Sequence, residues 1–221
     1  MTTDELADRL GQRFKAAGLL VGVRASQQLA SYIGLLTKWN GTINLTSLEL
    51  DPPSDTALDR LIIEPVSAAS AMGDGLLIDL GSGGGSPAIP LAIVRPALTL
   101  IMVESRGRKA AFLREAIRRL KLDRASVGAH RYQDLITDPS LAHRAQFVSL
   151  RAVRADQDLW QVIRHLLAPR GRVLWFGGLR HANEGVPSDF IELAPPPERA
   201  SSDTLILQRR DPEGAADQTP G

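Results

Sequence analysis

The chain has 221 residues, 43% hydrophobic and 23% charged, the proportions of an ordinary globular domain with a substantial core, and no apolar run nears the ~20 residues that span a bilayer. It contains no cysteine, which excludes disulfides and thiolate metal sites, and its four histidines (His130, His143, His165, His181) are too scattered to form a metal-ligand spacing, so no metal is expected. The net charge of +1 hides a segregation: 16 Lys/Arg stand against 6 Asp/Glu between residues 106 and 180, while residues 49–79 carry seven acids and one base, Arg60.

The first five residues, Met-Thr-Thr-Asp-Glu, lack the basic and apolar regions of a secretory leader, so a cytoplasmic protein with no membrane role is expected. Thr2 with Glu5 reads as a capping box, followed by Leu6, Leu10, Phe14 and Ala17 at helical spacing and Gly18 as a stop. Ser26 suits the cap of a second helix with the stripe Leu29, Ile33, Leu36 and Trp39, ended by Gly41. The Pro-Pro loop at 51–55 precedes a third amphipathic stretch, 56–72, which Pro65 must bend or split. From residue 76 the pattern alternates. Strands are predicted at 76–80, 98–103, 126–129, 146–150, 172–176 and 204–208, with helices at 87–94, 106–120 and 156–167 between them. Such alternation predicts an α/β fold, a parallel sheet wrapped by helices. We therefore divide the chain into an N-terminal helical extension (1–72), a sheet domain (73–210) and a tail (211–221) with too little apolar content to fold.

The most informative stretch is Ile78-Asp79-Leu80-Gly81-Ser82-Gly83-Gly84-Gly85-Ser86-Pro87, a glycine loop between the first strand of the alternating region and a helix. In open α/β sheets ligands bind at such strand ends, and glycine lets the backbone approach them closely. A loop without lysine is no P-loop, and Ser86 stands where a dinucleotide fold needs its third glycine. An acid two residues before the first glycine, Asp79, suits a cationic ligand. S-adenosylmethionine, with a sulfonium, an ammonium and no phosphate, fits that description. Glu104, 21 residues after Gly83 at the end of the second strand, is placed to accept ribose hydroxyls.

Taken in order, Tyr32-Ile-Gly-Leu-Leu-Thr-Lys-Trp-Asn40 with Asn44-Leu45-Thr46, Asp79-Leu-Gly-Ser-Gly-Gly-Gly-Ser-Pro-Ala-Ile-Pro90, Glu104-Ser-Arg-Gly-Arg-Lys-Ala-Ala-Phe-Leu113 and Arg151-Ala152 resemble the bacterial 16S ribosomal RNA guanine-N7 methyltransferase family, also called the glucose-inhibited division protein B family. The resemblance implies a class I S-adenosylmethionine-dependent methyltransferase sheet (Rossmann-like) carrying an N-terminal helical extension. It puts Gly81, Ser86 and Arg151 at cofactor-binding positions, and Tyr132 and Gln133 where the family touches the adenine. The chain departs from the family pattern at Leu61 and Pro65, at Gln133, where a Glu is usual, and at Gly177-Gly178, where a Lys is usual.

Guanine N7 carries a free lone pair at neutral pH, so its methylation needs alignment and no general base. No catalytic acid or base is therefore expected. Arg151, just past a strand, fits the cofactor carboxylate or an RNA phosphate, with a plain surface arginine as the blander reading. Arg106, Arg108 and Lys109 oppose the dipole of the helix they open and suit RNA phosphates. Asn40, Asn44 and Thr46 suit either the substrate side or turn and cap duties, while Tyr32 and Trp39 read as packing residues. The expected partner is ribosomal RNA or the small ribosomal subunit, met by a monomer. The alternatives are a methyltransferase of small molecules or proteins, and a non-catalytic binder of the same cofactor.

Overall fold

The computed structural model describes residues 1–177, 185–193 and 204–210. The sequence readings at Gly178, Arg180, His181, the proline loop 194–198 and the tail 211–221 lie outside the described residues.

The chain opens with α1 (Thr3–Ala16), whose capping box is present: the Thr2 N–H donates to Glu5 Oε2 at 2.8 Å, and the Glu5 N–H donates to Thr2 Oγ1 at 3.2 Å. Helix α2 (Val23–Asn40) begins three residues before Ser26, its expected N-cap. Gly22 takes the extended cap conformation, and the Ser26 N–H already donates to Gly22 O at 3.0 Å, so Ser26 lies inside the first turn. Leu29, Ile33 and Leu36 are buried as expected.

The third helical stretch shows what a proline demands. It runs as α3 (Asp55–Leu58), a π-helical turn (Asp59–Ile63), α4 (Glu64–Ala68) and a 3₁₀ turn (Ala69–Ala71). Pro65 has no N–H to return to the preceding turn. The carbonyl four residues back, Leu61 O, instead accepts a hydrogen bond from Ser86 Oγ at 2.9 Å. Arg9 and Arg13 of α1 pair with Asp55 and Asp59 across this segment.

Beyond it, β1 (Leu76–Leu80), α5 (Ala88–Val94), β2 (Thr99–Val103), α6 (Gly107–Leu120), β3 (Ala125–Gly128), β4 (Ala145–Arg151), α7 (Gln157–Leu166), β5 (Leu167–Phe176), β6 (Phe190–Glu192) and β7 (Thr204–Arg209) follow. The strands form one sheet in the order β3-β2-β1-β4-β5-β7-β6, parallel except where β7 runs against β5 and β6. The sequence did not indicate β6, nor the 3₁₀ turn Tyr132–Thr137.

Side chains alternate between two apolar layers. Ile78, Leu80, Val148, Leu150, Val173 and Trp175 meet α7 on one face. Leu77, Phe147, Leu174 and Phe176 face the other, and there Leu10 of α1, Leu29 and Ile33 of α2, and Leu113 of α6 join them in one cluster. The chain order reverses between β1 and β4, so the carboxyl ends of these two strands open a crevice, the place where doubly wound sheets take ligands.

Candidate functional site

Strand parity decides what enters this crevice. Asp79 shares its face with Leu77, while Ser149 and Arg151 share theirs with Phe147. That is the face covered by the N-terminal helices. Asp79 and Ser149 are direct neighbours across β1 and β4, and Arg151 and Phe176 are neighbours across β4 and β5.

Asp79 is 1% exposed. Its Oδ1 accepts a hydrogen bond from Ser149 Oγ at 2.6 Å, and its Oδ2 is buried with no protein partner. Burial pushes the carboxyl up to about 6, against the lowering effect of the Ser149 hydroxyl. A buried acceptor left open at a strand end is suited to a cationic or hydrogen-bond-donating ligand.

The loop above it is fixed by backbone geometry. The N–H groups of Gly81 and Ser82 donate to Val103 O, and Ser82 Oγ donates to Asp79 O. Gly85 has φ +87°, and a Cβ there would lie 2.5 Å from Ile89 Cδ1, so the turn into α5 admits only glycine. Gly83 has φ +49°, and a Cβ there would meet only Gly81 O, at an ordinary 3.7 Å, leaving its backbone approachable.

Glu104, at the exit of β2, is buried and holds the loop from the side. Its Oε2 accepts from the Gly83 N–H at 2.9 Å and its Oε1 from the Arg106 N–H at 2.7 Å. Each oxygen keeps a lone pair for a diol. Gly81, Glu104, Tyr132 and Gln133 line one cleft of about 320 Å³, together with Val103, Ser105, His130 and Arg131. The sequence singled out four of these residues. His130 was missed, because nothing in its neighbourhood marks it as more than a strand-end residue.

Arg151 lies across the crevice. Its guanidinium carbon sits 5.1 Å from the centre of the Phe176 ring, and its Nη2 lies 3.0 Å from Oε2 of Glu64, which is itself 7% exposed. The Arg151 Nε is buried with no hydrogen-bond partner. Burial pulls the guanidinium below its ordinary value, and Glu64 opposes that shift. The surface-arginine reading does not hold, since the Arg151 side chain is only 18% exposed and is a member of an ion pair. Sequence reasoning missed Glu64 as a site residue. The available signal was a lone acid in the otherwise apolar run Leu61-Ile-Ile-Glu-Pro-Val.

The extension fastens the loop at two points. Tyr32 Oη donates to Gly84 O at 2.7 Å, and burial pushes the Tyr32 phenol up, so the hydroxyl stays a donor. Ser86 Oγ donates to Leu61 O, so its hydroxyl is committed to the extension. Asn40 is a cap: its Oδ1 accepts from the N–H groups of Leu45 and Thr46, and its Nδ2 donates to Thr46 O. Asn44 is exposed on that loop, which packs on Gly84 through Leu45. Arg106 and Arg108 are exposed and Lys109 is half-buried at the start of α6, with no carboxylate paired to them among the described residues. Among those residues there is also no cluster of metal-binding side chains, and no helix is long and apolar enough to cross a membrane.

Comparison with known proteins follows the same lines. Residues 25–190 match the family model described as rRNA small subunit methyltransferase G. The chain is 40% identical over 154 residues to ribosomal RNA small subunit methyltransferase G of Xanthomonas oryzae pv. oryzae, covering 68% of each protein. It is 30% identical over 210 residues to the protein of that name from Klebsiella pneumoniae, covering 92% of this chain and 98% of that one. Among solved structures, a methyltransferase from Geobacter sulfurreducens matches 92% of this chain and 96% of its own, with TM-score 0.57 and 13% identity, a likeness of fold.

Proposed function

The chain belongs to the rRNA small subunit methyltransferase G family, and from that premise we propose that it transfers a methyl group from S-adenosylmethionine to N7 of a guanine in small-subunit (16S) ribosomal RNA. The observation that carries the reading is the buried, unpaired Asp79 Oδ2 beneath an approachable glycine backbone at the switch point of the sheet. The residues present fit the cofactor. Asp79 offers an anion to a ligand of net positive charge, Glu104 offers lone pairs to a ribose, and Tyr132 and Gln133 border the same cleft for an adenine. When bound, the cofactor supplies a methyl group activated by its sulfonium.

The chain's own residues then bind and align. N7 presents its lone pair unprotonated, so no side chain has to remove a proton, and the described crevice offers fixed positions in place of an acid–base pair. Asp79 and Glu104 hold the donor side, and the Phe176 ring with the Glu64 carboxylate fixes Arg151 at the rim. Arg106 and Arg108 are exposed and Lys109 half-buried at the start of α6, and with the exposed Asn44 they suit the RNA backbone, which binds chiefly through phosphate contacts. Two departures from the family pattern, Leu61 and Pro65, are buried in the packing of their own helical segment.

The test is transfer of labelled methyl to small-subunit particles, naked 16S RNA and a scrambled RNA, with 7-methylguanine mapped by chemical cleavage. Methylation at one guanine of the ribosomal substrate is expected. Methylation of none of them would overturn the RNA reading.

A further inference from the structure

Glu64 reaches the crevice because of a local irregularity. Had α3 continued as an α-helix, each residue would turn by about 100° about the axis. The π-helical turn Asp59–Ile63 inserts one extra residue into that register, and the Glu64 N–H closes it by donating to Asp59 O. Pro65 follows directly, and Ser86 Oγ takes the Leu61 carbonyl of that turn. Glu64 is thereby directed inward, and its carboxylate lies against Arg151. A buried carboxylate is costly to hold unless it meets a charge.

We propose that Glu64 is a positioning residue for the methyl donor, holding Arg151 against Phe176 and cancelling its charge so that the crevice accepts a cation. The inference rests on the methyltransferase reading above. S-adenosylmethionine carries a net charge of about +1 at neutral pH, with the fixed charge on sulfur. The demethylated product, S-adenosylhomocysteine, has a neutral sulfur and is otherwise nearly the same molecule. With Arg151 paired to Glu64, Asp79 and Glu104 are the acids of the crevice that have no ion-pair partner among the described residues, and they match the sulfonium ligand. Without the Glu64 charge, the Arg151 cation faces the same ligand in a poorly screened setting, where like charges repel strongly.

The experiment measures binding of both ligands by calorimetry, with melting curves alongside, for the wild type, Glu64→Gln, Glu64→Asp, Arg151→Gln and the Glu64→Gln/Arg151→Gln double variant. Glu64→Gln keeps the shape and removes the charge. It should weaken S-adenosylmethionine roughly tenfold, about one pKa unit's worth of differential charge interaction, and S-adenosylhomocysteine by less than about threefold on the same scale. Glu64→Asp should restore part of that selectivity. In the Arg151→Gln background, adding Glu64→Gln should change the ratio of the two affinities little. Equal weakening of both ligands, or no change in their ratio, overturns the inference and leaves the methyltransferase reading in place. A wild type that binds neither ligand overturns both. Should Glu64→Gln fail to fold, the ratio in Glu64→Asp decides, since a shorter acid loosens the hold on Arg151 while keeping the charge. An unchanged ratio there counts against positioning.

Discussion

At the scale of single residues, Asp79 has the clearest consequence. Its folded value is raised from 3.8 to about 6 by burial. Such a group favours folding fully below its unfolded value, and that contribution is lost as pH rises through about 6. Asp79→Asn, which keeps an acceptor for Ser149, should therefore melt above the wild type near pH 8, by about 1–3 kcal/mol of stability. The gap should shrink as pH falls through about 6 and close below the unfolded value of 3.8, where the carboxyl is protonated in both the folded and the unfolded state. Calorimetric melts across that range check it, and a constant gap would show that the carboxylate is not the source. The same titration predicts cofactor affinity falling as pH drops through about 6 in the wild type. Glu104→Ala should weaken the cofactor by about 1.5–3 kcal/mol, and more than Glu104→Gln, which keeps one acceptor for the Gly83 and Arg106 N–H groups. Unchanged affinity with an intact melt would reduce Glu104 to a loop brace. Asp79, the glycines and Glu104 were legible in the sequence because their meaning is local: an acid, a turn and a strand end within a few residues of one another. Glu64 and Arg151 stand far apart in the chain, and no spacing rule links them.

At the scale of elements, the extension and the sheet meet through the glycine loop. Tyr32 of α2 and the Leu61 carbonyl beside α4 fix it at Gly84 and at Ser86. Tyr32→Phe leaves Gly84 O without its buried donor and should cost about 1–3 kcal/mol in stability. It should also raise the dissociation constant of the cofactor, because the loop it steadies forms the site. Thermal melts and calorimetry read the two effects separately, and an effect on stability with none on binding would mean that the loop keeps its shape without Tyr32. The helices and the parallel strands could be read from apolar periodicity. The π turn could not, since the sequence signals only that Pro65 interrupts a helix and not how the interruption is absorbed. The start of α2 was misread because Gly22, without any side-chain signal, takes the cap conformation ahead of Ser26.

At the scale of the whole molecule, the start of the basic stretch follows directly on Glu104, a residue that lines the cleft. Arg106, Arg108 and Lys109 begin α6 directly after Glu104, so RNA held by them would lie beside the ligand cleft. Replacing all three with Ala should make the plot of log affinity for RNA against log salt shallower by about two to three units, each lost phosphate contact removing ~0.7–0.9. Cofactor affinity should stay nearly constant. Titration at several salt concentrations checks this, and an unchanged slope would place the RNA elsewhere on the surface. The sheet itself has a further consequence. Its two outer strands, β3 with four residues and β6 with three, are the shortest of the seven described, while the longest, β5, lies inside with ten. Unpaired amides and carbonyls at a sheet margin are templates on which another chain can crystallise as an added strand. Here each margin offers only three or four rungs to such an intruder. Among the described residues, margins this short shield the sheet against stacking with other copies of the chain, by strand length alone.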